Sequence, residues 1–147
     1  MTLRFRLEIP QHGWLPIHLQ CEEYDFSFTV SDVQGDSIGM LIKSISDAVD
    51  GIDSVTDWYL EPDIYRFEFR CEREKIEFQV AALRYGNTKF IHKISGTRQE
   101  IILPFWRAVK AFSTQNWHES DWRYYFPTDK MKLLDYKIEA FKLTSNE

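Results

Sequence analysis

The sequence predicts an α+β fold: a mostly antiparallel sheet of about six or seven strands with three helices packed on one face. Three observations predict it. Apolar and charged residues alternate in Leu3–Ile9, Tyr65–Cys71 and Ile76–Ala82, the pattern of a strand with one face buried and one wet. Short turns join these segments, which suits antiparallel pairing. Elsewhere the apolar period lengthens to that of a helix. With 147 residues, 44% of them hydrophobic, the chain can bury one substantial core, and a single domain spanning 1–147 is expected.

Taken in order, Leu3, Phe5, Leu7 and Ile9 alternate with Arg4, Arg6 and Glu8 as a first strand. PQHGW makes a turn. Ile17, Leu19 and Cys21 form a second strand, and Tyr24, Phe26, Phe28 and Val30 a third beyond the Glu22-Glu23 turn. Ile38, Leu41, Ile42, Ile45 and Val49 then fall on one helical stripe, predicting a helix over 37–50. Asp36 or Ser37 is its N-cap and Gly51 its left-handed terminator. Val55–Leu60, Tyr65–Cys71, Ile76–Ala82 and Phe90–Ile94 continue the sheet. In the last third, Thr97 and Glu100 have capping-box spacing, but Pro104 argues against a helix begun there and is placed at a first-turn position instead. Helices over 104–114 and 128–142 follow, the second with Met131, Leu134, Ile138 and Phe141 on its inner stripe.

Composition excludes several functions. A net charge of −5 argues against direct nucleic-acid binding, which needs a basic footprint. No apolar run is long enough to span a membrane, and MTLRFRLEIP lacks a signal-peptide core, so a soluble cytoplasmic protein is expected. Cys21 and Cys71 both alternate inward and read as buried reduced thiols. No phosphate-binding glycine loop occurs, and His12, His18, His92 and His118 lack zinc-site spacing. No catalytic residue, cofactor or metal is therefore assigned.

One stretch stands out. SISDAVDGIDSVTDWYLEPDIY, residues 44–65, holds six carboxylates (Asp47, Asp50, Asp53, Asp57, Glu61 and Asp63) and no Lys or Arg. Their spacing does not fit a calcium loop. Asp47 and Asp50 stand near a helix C-terminus, where negative charge opposes the macrodipole by about 0.3–1 kcal/mol each. Two readings remain open: a solubilising edge, or a field directed at a basic partner. The chain also has 11 Phe, 7 Tyr and 5 Trp, more than a minimal core needs, so some rings are expected at an interface.

HGWL at 12–15, SDVQGD at 31–36 before a helix, and WYLEPD at 58–63 before an alternating hairpin resemble small bacterial proteins, among them immunity proteins of toxin–immunity pairs. The resemblance covers 12 to about 83, half of the chain. It implies an inhibitor without catalytic residues that binds a cognate toxin domain and covers its active site. The partner-binding residues expected on that basis are Asp47, Asp50, Asp53, Asp57 and Glu61, with Trp58, Tyr59, Trp117 and Trp122 as aromatic anchors. An adaptor or complex subunit, binding by a sheet edge or through NWHESDWRYY, is the first alternative. An enzyme with an unrecognised site is the second.

Overall fold

A computed structural model describes residues 2–145. The fold is α+β, with seven antiparallel strands and three helices. Strands β1 (Leu3–Leu7), β2 (Trp14–Cys21) and β3 (Tyr24–Ser31) form a three-stranded sheet in that order. After helix α1 (Ser37–Val49), strands β4 (Ser54–Tyr59), β5 (Ile64–Glu72), β6 (Lys75–Arg84) and β7 (Asn87–Thr97) form a four-stranded meander. Helices α2 (Arg98–Ser113) and α3 (Thr128–Ser145) complete the chain. The expected strands are thus shared between two sheets. The three-stranded sheet and α2 cover the inner face around Phe67, and α1 lies along β4, where Ser37 Oγ and Ser44 Oγ donate to the Asp57 and Val55 carbonyls at 2.7 Å.

Rings make the junction between these layers. Phe67 on β5 touches Phe5, Phe28, Trp58, Phe78 and Phe105 at centroid distances of 5.8, 6.1, 5.4, 5.1 and 6.0 Å. All five contacts are edge-to-face, the arrangement that the ring quadrupoles favour. All six rings are buried.

Local chemistry explains the element ends. Pro16 lies in β2 and its carbonyl accepts from Glu8 N at 3.1 Å. A strand residue's N–H points the same way as its C=O, so Pro16 lacks the donor that would extend the β1 ladder beyond Leu7↔Ile17. This is why β1 stops before Ile9, which is half-exposed. Asp36 caps α1 by accepting from Gly39 N at 3.0 Å, and Gly51 takes the left-handed conformation after its end (φ 77°).

Helix α2 corrects the expected boundary at 104. Thr97 and Glu100 make a complete capping box, with hydrogen bonds of 3.1 and 3.0 Å, and the helix begins at Arg98. Pro104 sits inside it, without the N–H that would bond the Glu100 carbonyl. Burial of Ile101, Ile102, Phe105, Val109 and Phe112 offsets that loss. Trp106 is only half-buried; its Nε1 donates to Asp135 of α3 at 2.9 Å.

Phe67→Ala and Ile45→Ala should each destabilise the fold by about 2–5 kcal/mol, through lost burial and the cavity left behind. His118→Ala, on an exposed loop, should change stability by less than about 0.5 kcal/mol. Urea denaturation midpoints check the order, and a His118 variant less stable than the other two would refute the core assignment.

Candidate functional site

The acidic stretch finds its cations elsewhere in the chain. Asp47 pairs with Lys43 one turn earlier at 2.8 Å, and Asp50 with Lys137 of α3 at 2.7 Å. Arg66, opposite Asp57 in the β4–β5 register, holds it at 2.7 and 3.2 Å. Asp57 in turn holds the Arg66 guanidinium above its ordinary range. Arg84 pairs with Asp63 at 2.7 Å. Asp53 accepts the Cys71 backbone N–H at 2.7 Å, and Glu61 accepts the Ser31 hydroxyl at 3.0 Å. Four of the six carboxylates are paired with cations, Asp53 and Glu61 accept only from neutral donors, and the group is spread over a helix end, a connection, a strand face and a turn. Most of the carboxylates expected at a partner-facing edge are thus engaged within the chain. Exposed pairs of this kind contribute about 0–1 kcal/mol each.

Two of the expected anchors are also corrected. Trp58 is fully buried and Trp122 is 2% exposed, so neither ring can contact a partner. Inward alternation with Thr56 carries Trp58 into the ring cluster. Trp122 is covered because the segment before α3 is tied down: Asp121 accepts from His12 N at 3.0 Å, and Arg123 N donates to Asp32 at 2.9 Å. Trp117 is half-buried, stacked on Phe112 at 4.7 Å. Tyr59 is half-buried with its ring against Gly35, where a Cβ would lie 2.7 Å from the ring. Glu61 is exposed and holds a left-handed backbone (φ 58°).

Sequence reasoning missed the region beside Glu61. The β4–β5 and β6–β7 turns lie together, joined by the Ile64↔Leu83 pairing and the Asp63–Arg84 ion pair. On the inner side of this end, past the cover of β3, the sheet leaves an open cavity of 620 Å³. Tyr65, Ala82, Phe90 and Ile91 supply apolar lining, and Arg84, Tyr85, Asn87 and Lys89 stand around it. Phe26 packs on Tyr65 at 4.9 Å, and Tyr24 stacks on His92 at 4.4 Å, extending the aromatic surface. Tyr85 is 87% exposed and Phe90 58%. The signal in sequence was the Tyr85-Gly86 turn, which presents its first side chain to solvent.

A second polar group lies on the outer face of the three-stranded sheet. His18 bridges Ser27 Oγ at 2.6 Å and Glu8 Oε1 at 2.9 Å, and Arg6 reaches Glu8 at 3.2 Å. These contacts tie three strands together on a face open to water. Among the described residues no cluster of three or more metal-ligating side chains occurs, and no helix is long and apolar enough to cross a membrane.

With this geometry in place, comparison with known proteins adds one likeness. No family model matches the chain. No curated protein matches it either. Among solved structures, the fold is similar to a chain of the CdiA-CT/CdiI toxin and immunity complex from Enterobacter cloacae, with a TM-score of 0.51 and 10% identity. The likeness covers 75% of this chain and 99% of that one. At that identity it concerns the fold.

The thiols give a prediction for pH. Cys21 is fully buried, and burial pushes its pKa up from 9.0 to about 12. Between those values the unfolded chain releases the Cys21 proton and the folded chain keeps it. Stability is therefore fully present below pH 9 and falls as pH rises toward 12. Cys21→Ala should lose part of this slope, measured from urea midpoints at pH 8 and 10. An identical slope in the variant would show that Cys21 does not carry it.

Proposed function

We propose that the chain is an immunity-type binding protein that neutralises a cognate toxin domain by covering its active site. The observation that carries this reading is the fold likeness to a chain of a toxin and immunity complex, which takes in nearly all of that chain. Element order and the HGWL, SDVQGD and WYLEPD segments pointed the same way from sequence. The net charge of −5 supports long-range attraction to a basic toxin domain, although the residue 44–65 stretch is paired within the fold. The proposed contact surface keeps Tyr59 and Glu61 and adds the neighbouring β6–β7 end. Trp58 and Trp122 support the fold beneath. The protein acts here by binding, in the cytoplasm where such a toxin would otherwise act.

Growth assays test the reading. Each coding sequence adjoining the gene for this chain is expressed alone and then together with it. One of them is expected to arrest growth alone and to lose that effect in co-expression, with the two chains copurifying. If no neighbour is toxic, or if toxicity persists beside the chain, the immunity reading fails.

A further inference from the structure

We infer that the cavity at the β6–β7 end is the seat for an apolar side chain flanked by a carboxylate on the partner protein, an inference that rests on the binding role proposed above. Three observations carry it.

The first is shape and lining. The 620 Å³ concavity is large enough for a Phe or Leu side chain, and Tyr65, Ala82, Phe90 and Ile91 give it apolar contact. Rings that close such a pocket lose water on contact, which is how a few residues come to dominate an interface.

The second is charge. Lys89 stands at the rim, and among the described residues it makes no ion pair, while Arg84 shares its charge with Asp63. In a chain of net charge −5, whose residue 44–65 carboxylates are mostly paired or capped, this end offers a free cation. A carboxylate beside the inserted apolar group complements it.

The third is backbone strain. Tyr85 and Gly86 connect β6 to β7 with φ of 51° and 76°, the two left-handed positions of a type I′ turn. Asn, Asp or Gly suits the first of these, and a bulky ring there is strained. Nothing in folding requires a tyrosine that is 87% exposed. Strain retained at a ring this exposed fits a ring held ready for contact.

Two measurements test the inference. NMR titration of the native chain with acetyl-Glu-Phe-Glu-amide should shift the amides of Ala82, Arg84, Lys89 and Ile91, whereas acetyl-Lys-Phe-Lys-amide and acetyl-Glu-Gly-Glu-amide should not. Lys89→Glu should weaken the first peptide by about tenfold, the effect of one lost ion pair at a partly desolvated rim. Equal binding of the acidic and basic Phe peptides, or binding of none, overturns the proposed chemistry. In the complex with a toxin found by the growth assay, Tyr85→Asn combined with Phe90→Ser should raise the dissociation rate by about tenfold or more at unchanged Tm. An unchanged dissociation rate overturns the seat while leaving the immunity reading standing. Should no neighbour prove toxic, that reading fails, and the peptides alone judge the cavity.

Discussion

Phe67 occupies the place where the two sheets and α2 meet, and the arrangement of the layers follows from satisfying its surroundings. Its neighbours come from β1, β3, β4, β6 and α2, elements separated by up to about a hundred positions in the chain. A four-stranded antiparallel sheet with one apolar face must be covered, and no single element here is wide enough. The three-stranded sheet brings Phe5 and Phe28 to one half, and α2 brings Phe105 to the other, where it also meets Phe69 and Phe78 at 5.3 and 5.1 Å. Phe5 and Phe105 touch each other at 4.8 Å, closing the seam between the two covers. This requirement also fixes α2 despite Pro104, since the helix has to continue through Phe105 to reach the sheet.

A second constraint is polar and acts at the periphery. Asp32 is 5% exposed, accepts the Arg123 backbone N–H and lies 3.5 Å from its guanidinium. Its carboxylate also sits where a Cβ on Gly13 would come within 2.9 Å, and Gly13 holds φ 82°, so this position is restricted both in space and in backbone conformation. Asp121 closes the arrangement by accepting the backbone N–H groups of His12 and Gly13. Ser31 bonds Glu61, and Gly35 makes room for Tyr59. Segments HGWL, SDVQGD and WYLEPD, distant in sequence, therefore meet in one neighbourhood together with the segment before α3. Their composition reflects this junction: glycines where atoms approach closely, carboxylates and a serine where backbone donors need acceptors.

What was legible in the sequence was local. Alternation gave the strand faces, and Phe67, Phe69, Ile76, Phe78 and Val80 are buried as the pattern predicts. The stripes of α1 and α3 read correctly for the same reason. Alternation cannot say which strands share a sheet, so the division into two was not visible. Nor could it decide Trp58, whose alternation with Asp57 and Tyr59 leaves its side open, and packing against Phe5 and Phe67 settles the matter. The capping box at Thr97 was in plain view, but Pro104 was given too much weight. A proline costs about 3 kcal/mol in an isolated helix interior, and buried tertiary contacts can exceed that. The cavity depends on where β3 ends over the sheet, which no local pattern encodes.

The absence of positive charge between residues 44 and 65 finds its explanation in topology. The stretch runs from α1 through β4 to the turn before β5, and each part faces a different neighbour. The end of α1 faces α3, which supplies Lys137; the outer face of β4 faces β5, which supplies Arg66; the turn faces the end of β6, which supplies Arg84. A lysine inside the stretch would compete for these carboxylates and weaken the pairs they make with α3, β5 and β6. Segregating the two signs in sequence thus directs each carboxylate toward a distant partner, and Lys43, one turn before Asp47, makes the one local pair. In the proposed binding role, interaction with another protein draws on what the pairing leaves over. For the binding role proposed above, those remainders include the long-range effect of the net charge and the exposed rings beside Lys89 at the β6–β7 end, where desolvated rings would carry most of the contact energy.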